Sequence, residues 1–486
     1  MKSRKYIWFI IALFAVISCE YDFPEDKVYS DKDFGKIDVN NFIVTGDGYL
    51  AGLMDGALYT AGQKNSIAGI LAAQFSIINE QTFNQPDIAS ENGYNLYVPA
   101  GNNISGKWIY KYENNTDENP KLVLTTGEAV KDYPGEKNDL NNLAIPQLNV
   151  NQLTDSELDE NPFYSRIFLG NGETIIEQVR QKNPTFLLSW LGINDYLNYA
   201  MQGANNPENL TSVEDFQHNY QLFIEELIEN TQSKIAIGNL ISIEDLPFFY
   251  TRQYDFIRLE GSKLSAAMAR YSEFNKAVAR HNINVPSDQK RPFISYYDNG
   301  ATLYPQPVVV IDETLSDAYY PDGRELEKFR QLTGDEMALF SITDEMVENG
   351  MGWIIPLDKR YYLTAQERED INERTNAFNQ VLVNLSQIYP DRLLLVDIAD
   401  PVKKIADTGK YDSWGFVVSE EIVYEEGVPL EGDLGMNSIF SLDAVHFNQR
   451  GNAYITNQFI QEINNSFRAN IPFAKVNSYI GNAYIY

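Results

Sequence analysis

The chain has 486 residues and a formal net charge of −30, because 68 acidic residues outnumber 38 lysines and arginines. Nucleic acid is a poor partner for such a surface, since phosphate binding depends on Lys and Arg. The single cysteine excludes an intrachain disulfide, and the three histidines form no Cys/His cluster of the kind that binds zinc. We therefore predict no metal and no cofactor.

The first residues have the pattern of an export signal. Three cations, at positions 2, 4 and 5, precede an apolar run from Tyr6 to Ile17 and then Ser18. This order is typical of a signal peptide, and the run is shorter than the ~20 apolar residues of a membrane span. The stretch Ala15–Cys19 resembles a bacterial lipobox. That resemblance implies cleavage after residue 18 and acyl chains such as palmitate on Cys19, which hold the protein at a membrane.

The segment after the lipid cysteine predicts a tether. Residues Glu20–Lys27 are acidic in character and include Pro24. We predict a flexible tether over 19–39 and a folded domain over 40–486.

From residue 40 onward, predicted strands alternate with predicted helices. Short apolar runs bounded by Gly or Pro indicate buried strands, and apolar residues at helical spacing indicate amphipathic helices. A capping box formed by Thr364 and Glu367 marks the start of the longest helix. The alternation predicts an α/β fold with a parallel sheet covered on both faces. The predicted strands are 42–44, 186–191, 234–238 and 393–396, and the predicted helices are 66–75, 174–182, 213–229, 364–388 and 449–467.

Three long polar stretches separate these elements, near 76–140, 240–360 and 405–440. Loops of that length are uncommon unless they are functional or contain small elements of their own. We predict one domain in which these insertions form a cap over one edge of the sheet, mainly from 240–360.

Short motifs in a fixed order carry the clearest functional signal. They are Gly46–Gly52 (pattern G-D-S-L-T-A-G), Asp55–Tyr59 (D-G-x-L-Y), Gln63–Ser66 (Q-x-x-S), Asn142–Gln147 (N-L-G-V-P-G), Gly192–Asp195 (G-x-N-D) and Ser441–His446 (S-L-D-G-V-H). Together they resemble the SGNH/GDSL hydrolase superfamily, and in particular its long bacterial lipoprotein members, over about 40–486. The resemblance implies a three-layer α/β/α, flavodoxin-like fold and ester hydrolysis.

The resemblance also implies the remnant of a serine-hydrolase site. His446 corresponds to the general base and Asp443 to the carboxylate that orients it. Gly48 stands where the family has its nucleophilic serine, and glycine has no Oγ. The two other histidines, His218 and His281, lie outside the motifs, and we interpret them as solvated or packed side chains.

Four positions correspond to the oxyanion hole of the family: Gly48, Asn194, Gln147 and Ala144. Asn194 would offer its side-chain amide, although an Asn after a strand can also form a turn or a helix cap. Gln147 and Ala144 replace glycines of the family pattern. Their backbone N–H groups remain, but their side chains are expected to reshape the pocket.

The hydroxyls nearest to residue 48 in the sequence belong to Thr45, Tyr49 and Tyr59. None of them stands at the family's nucleophile position.

Two functional hypotheses follow. The first is a lipoprotein anchored in the outer membrane, on its periplasmic or cell-surface side. Its impaired domain would act as a binding or structural component for a glycan, a lipid or an outer-membrane β-barrel protein. The second is a weak or unusual hydrolase of acyl or acetyl esters of lipid or glycan. It would activate water with His446 and Asp443, or use a nucleophile at a position other than residue 48. Loss of the serine can cost a serine hydrolase about 10⁶ in turnover, which favours the first hypothesis.

We predict that Cys19 carries lipid in the mature protein. Mass spectrometry of the N-terminal peptide extracted from membranes should show an acylated Cys19. The Cys19→Ala variant should keep its apolar segment uncut and stay unlipidated. An unmodified wild-type peptide that runs through Ser18 and Cys19 would contradict the prediction.

Overall fold

The computed structural model describes residues 27–98, 103–112, 120–156, 161–298, 304–419 and 421–485. The predicted signal peptide over 1–18, the predicted lipid site Cys19 and residues 20–26 lie outside these ranges. In the described part, no helix combines the length and the apolar character needed to cross a membrane.

Strands occur along the whole described chain, and most of them are short. In chain order they are β1 Phe42–Gly46, β2 Leu53–Met54, β3 Ala57–Leu58, β4 Tyr94–Asn95, β5 Ser105–Lys111, β6 Lys121–Thr126, β7 Phe186–Trp190, β8 Lys234–Gly238, β9 Ile257–Arg258, β10 Pro305–Gln306, β11 Val309–Ile311, β12 Phe329–Gln331, β13 Met337–Ala338, β14 Tyr362–Leu363, β15 Leu393–Val396, β16 Val423–Glu425, β17 Val428–Leu430 and β18 Tyr484–Ile485.

Helices of very different lengths separate the strands. They are α1 Gly48–Ala51, α2 Thr60–Lys64, α3 Ile67–Ile78, α4 Tyr164–Ile167, α5 Ile175–Gln181, α6 Asn194–Met201, α7 Val213–Asn230, α8 Pro247–Tyr250, α9 Gly261–Arg270, α10 Ser272–Ile283, α11 Asp344–Glu348, α12 Ala365–Ile388, α13 Ala399–Ala406 and α14 Gln449–Phe467.

The central element is a parallel sheet of four strands in the order β1-β7-β8-β15. Parallel neighbours need crossover connections, which here include helices, as expected for this arrangement. The mixed α/β class and the central parallel sheet predicted from the sequence are therefore confirmed. The predicted capping box is also present, because Thr364 Oγ1 accepts from Glu367 N and the Glu367 carboxylate accepts from Thr364 N.

Aromatic packing fixes one face of this sheet against two helices. Phe42 of β1 and Phe186 of β7 both contact Phe75 of α3, with ring centroids 5.0 and 5.9 Å apart. Trp190, at the end of β7, contacts Phe459 of α14 at 6.2 Å. Such aromatic pairs contribute beyond their buried area. Elsewhere, α12 packs on α7 and on β15.

The insertion 240–360 contains its own small elements and two hydrophobic clusters separate from the main core. Arg330 joins its parts, because the guanidinium donates to both oxygens of Glu336 at 2.6 Å and to Asp312 at 2.5 Å. The insertion meets the main domain at Phe248, whose N–H donates to Ala444 O at 2.9 Å. It therefore adjoins the loop that contains His446.

The described part of the predicted tether is not free of the domain. Residues Asp31–Phe34 form a 3₁₀ helix, and Phe34, Ile37 and Val39 are buried in the main core. The Lys36 N–H also donates to Phe467 O at 2.8 Å. The prediction of a flexible tether to residue 39 is wrong from Asp31 onward. The three apolar side chains named above are buried in the main core, and Phe34 packs against Phe75 of α3.

Truncation of Phe34 tests this boundary. Phe34 is 6% exposed and its ring meets Phe75 edge-on at 6.0 Å. We expect Phe34→Ala to lower the free energy of unfolding by about 3 kcal/mol, the typical cost of deleting a buried phenyl ring, as measured by denaturant titration. The control is Val28→Ala, since Val28 precedes the packed segment and is 91% exposed. Equal stabilities of the two variants would mean that the segment is a tether after all.

Candidate functional site

The predicted site residues lie at the carboxyl edge of the central sheet. Gly48 opens α1 directly after β1, and Asn194 opens α6 after β7. Asp443 and His446 belong to the loop that precedes α14. Open parallel sheets form their sites at this edge because the loops that follow neighbouring strands meet there. The structure places His218 on α7 and His281 on α10, away from this loop.

Asp443 orients the imidazole of His446. The two side chains are buried, and His446 Nδ1 lies 2.9 Å from Asp443 Oδ2. Burial alone would raise the pKa of Asp443, but the charge and hydrogen bonds of His446 and nearby backbone N–H groups hold it below its ordinary value. With Nδ1 bonded to Asp443, Nε2 is the ring nitrogen that faces Gly48.

The carboxylate of Asp443 is itself held by a dense set of donors. Its Oδ1 accepts from Ser441 Oγ at 3.0 Å and from the N–H groups of Val445 and His446 at 2.9 and 2.8 Å. Its Oδ2 accepts from Gly56 N at 2.9 Å. These bonds leave the carboxylate little freedom to rotate.

The Asp55–Gly56 turn of the D-G-x-L-Y motif is hydrogen-bonded to the Ser441–His446 motif. Asp55 Oδ1 accepts from Leu442 N at 2.9 Å, and Asp55 N donates to Ser441 Oγ at 3.0 Å. Gly56 has a φ of +77°, which favours glycine, and points its N–H at Asp443. The sequence motif D-G-x-L-Y contained both residues, but its positioning role was not predicted, because it depends on contacts with residues almost 400 positions later.

The imidazole of His446 occupies the space in which a side chain of residue 48 would begin. An ideal Cβ on Gly48 would lie 2.8 Å from His446 Nε2 and 3.1 Å from Leu53 Cδ2. Tyr49 and Tyr97 flank the imidazole, with ring centroids 4.8 and 6.2 Å away. Tyr97 comes from the insertion 76–140, and its contact with His446 was not predicted. His446 is only 4% exposed, so the base faces a glycine in a closed site.

None of the three hydroxyls nearest in sequence is paired with the base. Tyr49 OH donates to Val445 O at 3.0 Å, and burial raises its pKa well above the usual range. Tyr59 OH donates to Asp55 Oδ2 at 2.8 Å. Thr45 Oγ1 is buried and has no hydrogen bond. Among the residues that the structure describes, the hydrogen bonds to His446 include none from a nucleophile, which a covalent mechanism requires.

The oxyanion-hole positions retain only part of their predicted capacity. The prediction for Ala144 is wrong, because its N–H donates to Asn142 Oδ1 at 3.0 Å and is not free. The side-chain amide of Asn194 donates one hydrogen bond to Leu148 O at 3.2 Å. Within the described ranges, the N–H groups of Gly48 and Gln147 have no hydrogen-bond partner. Two potential backbone donors therefore remain.

Two residues of the motifs that carry a Cβ adopt a backbone conformation that favours glycine. Gln147 and Ala444 stand at glycine positions of the SGNH pattern, and both have a φ of +64°. Gly52, the last glycine of the first motif, has a φ of +86°. A left-handed conformation is unfavourable for residues with a Cβ. Gln147 and Ala444 therefore hold a backbone conformation that favours glycine.

Two buried aspartates lie behind the dyad and were not predicted as part of the site. Burial raises the pKa of Asp47 to about 7, and its Oδ2 has no hydrogen bond, while Oδ1 accepts from Tyr49 N at 3.1 Å. Burial also raises the pKa of Asp195 to about 7, although Thr211 Oγ1 donates to it at 2.7 Å. Both belong to the quoted motifs Gly46–Gly52 and Gly192–Asp195, but the motifs alone do not show that these carboxyl groups are buried.

Across the described ranges, no three His, Cys, Asp or Glu side chains converge on a position that could hold a metal ion. Comparison with protein-family models finds no match to this chain, and no curated protein matches it.

The raised pKa of Asp47 predicts a pH-dependent stability. Between about pH 4 and 7 the unfolded chain has released this proton and the folded chain has kept it, so stability should fall as the pH rises. The limit for one group is about 1.4 kcal/mol per pH unit. We expect Asp47→Asn, which keeps the acceptor for Tyr49 N, to reduce the downward slope of unfolding free energy against pH in this window, while Asp195 still contributes to it.

The matched control is Asp38→Asn. Asp38 is exposed and, like Asp47, accepts a backbone N–H two residues on, here from Asn40. Its replacement should leave the slope unchanged. Parallel curves for wild type and Asp47→Asn would show that Asp47 titrates normally.

Proposed function

We propose that this protein is an outer-membrane lipoprotein whose folded domain is a catalytically impaired member of the SGNH/GDSL hydrolase superfamily. It serves as a binding or structural component of the cell envelope. The observation that carries the loss of catalysis is the 2.8 Å approach between the ideal Cβ position of Gly48 and His446 Nε2.

Two observations support the family. The motifs Gly46–Gly52, Gly192–Asp195 and Ser441–His446 meet at one edge of a parallel sheet. The positive φ of Gln147 and Ala444 matches glycines of the family pattern. We further propose that helices lie on both sides of this sheet, in the three-layer, flavodoxin-like arrangement of that superfamily.

The closed site supports a loss of covalent catalysis. A serine hydrolase needs an Oγ within hydrogen-bond reach of the imidazole and an open position for the substrate carbonyl. Here residue 48 has no Oγ, and a Cβ would crowd both Nε2 and Leu53. The N–H of Ala144 is also bonded internally. Together these features remove the nucleophile and one potential oxyanion donor.

An exposed aromatic hairpin supports a binding role. Asp412 Oδ1 accepts from the N–H groups of Trp414 and Phe416 at 2.9 Å and shapes the turn. Trp414 and Phe416 are 59% and 71% exposed, and Tyr304 meets Trp414 edge-on at 4.9 Å. Exposed aromatic clusters of this kind mark interaction sites in monomeric proteins. A glycan, a lipid or an outer-membrane β-barrel protein is the proposed class of partner, with the membrane reached through lipid on Cys19.

A weak ester hydrolase is the second candidate, and one observation favours it. The His446–Asp443 pair is intact at 2.9 Å, and Gly48 and Gln147 keep N–H groups without partners among the described residues. Such a dyad can act as a general base on water.

Ester turnover separates the two candidates. We expect the wild type to hydrolyse p-nitrophenyl acetate within about twofold of His446→Ala, because no covalent acyl intermediate can form at residue 48. Gly48→Ser should gain little, since its Cβ would require the imidazole to move. The measurement is initial rate against enzyme concentration for the three proteins, with folding checked by circular dichroism.

Wild-type turnover at least about 100-fold above that of His446→Ala, the usual minimum for a general base, would establish the hydrolase. A large gain in Gly48→Ser would show that the site is open enough for catalysis and would contradict the closed geometry.

A further inference from the structure

A second cavity lies at the amino edge of the central sheet, away from His446. It is a cleft of about 340 Å³, a size within the lower range of small-molecule sites. Asn41, before β1, and Lys182, before β7, stand at its rim. Its walls include apolar side chains from β1, from the segment after residue 140 and from the end of α4.

Two lysines of this cleft are held by backbone carbonyls and not by acids. Lys182 Nζ donates to Lys137 O at 3.0 Å and to Asn138 O at 2.7 Å. Lys137 Nζ donates to Phe168 O at 3.0 Å and to Ser165 O. Neither forms an ion pair with a described carboxylate, although the chain carries a net charge of −30. Each ammonium has three N–H groups, so one donor on each lysine is left for a ligand.

The polar amides around the lysines are already engaged. Asn41 Nδ2 donates to Lys182 O and to Asn183 O. Gln178 accepts from Leu169 N and donates to Glu173 O, at 3.1 and 3.0 Å. The walls are therefore preformed. Asp139 also lines the cleft and its charge acts on Lys182, so the cleft holds two lysine charges and one carboxylate charge.

Apolar side chains form the remaining part of a lining that also holds polar and charged residues. Ile43, Leu143, Ile167 and Phe168 are buried, and Leu169 stands at the rim with 46% of its surface exposed. Leu169 therefore offers most of the apolar surface that a ligand in the cleft could cover.

We propose that this cleft binds a small organic anion. Its acidic group pairs with the ammonium groups of Lys137 and Lys182, and its short apolar part lies against Ile43, Phe168 and Leu169. A carboxylate and a phosphate monoester share the required chemistry. The proposal does not depend on the function of the His446 site, which lies at the other edge of the sheet.

Isothermal titration of the full-length protein in detergent tests the proposal with hexanoate, its neutral isostere hexanamide, and inorganic phosphate. We expect hexanoate to bind at least tenfold more tightly than hexanamide, because a charge-assisted bond to an ammonium is lost in the amide. Phosphate alone should bind more weakly than hexanoate, since it lacks the apolar part.

Variants locate the site. Lys182→Gln should weaken hexanoate at least tenfold, whereas Lys290→Gln, which removes an exposed charge outside the cleft, should change it less than twofold. Leu169→Ala should weaken hexanoate and leave phosphate unchanged. If Lys182→Gln unfolds because its carbonyl contacts are lost, the affinities of the wild type for hexanoate and hexanamide decide whether the cleft selects an anion.

Three results would overturn the proposal. They are equal affinities for hexanoate and hexanamide, equal effects of Lys182→Gln and Lys290→Gln, and no heat of binding for hexanoate up to about 10 mM, a concentration well above the millimolar Kd of a weak complex. Phosphate binding as tight as that of hexanoate would contradict the apolar subsite.

Discussion

The close approach of His446 to Gly48 is the constraint on which the rest of the site depends. Asp443 holds the far side of the imidazole, and four further donors fix Asp443 in turn. The ring therefore cannot retreat without breaking this set of hydrogen bonds. Because Nε2 would lie 2.8 Å from a Cβ at residue 48, the glycine and the position of the imidazole require each other. The hydrogen-bonded pair of Asp443 and His446 is thus part of the packing around Gly48.

Two residues of the site motifs hold backbone conformations that are unfavourable for side chains with a Cβ. Gln147 and Ala444 adopt left-handed conformations that cost about 1 kcal/mol or more for residues with a Cβ. Such strain persists only where the surroundings determine the backbone. At Ala444 they do so, since its carbonyl accepts from Phe248 N and its N–H donates to Ser441 O. The loop that presents His446 is therefore built into the junction with the insertion 240–360.

Much of the fold could be predicted from the sequence because the central strands are continuous apolar runs between clear breakers. The motifs also predicted that Gly48, Asp443 and His446 lie together. The missed features depend on contacts between distant residues, which no local pattern encodes. Phe34 is buried against Phe75 of α3, and Tyr97 contacts the imidazole of His446. The hydrogen bond from Lys182 Nζ to the backbone carbonyl of Lys137 has no sequence signal.

The central claim is that no side chain of this site acts as a nucleophile. Intact-mass and peptide mass spectrometry after incubation with a fluorophosphonate ester tests it most directly, because this reagent traps activated hydroxyls without the need for turnover. We expect an unmodified wild-type protein, since Tyr49 OH and Tyr59 OH are bonded to other acceptors and Thr45 Oγ1 is buried. A stoichiometric adduct on any of these three residues that disappears in His446→Ala would contradict it.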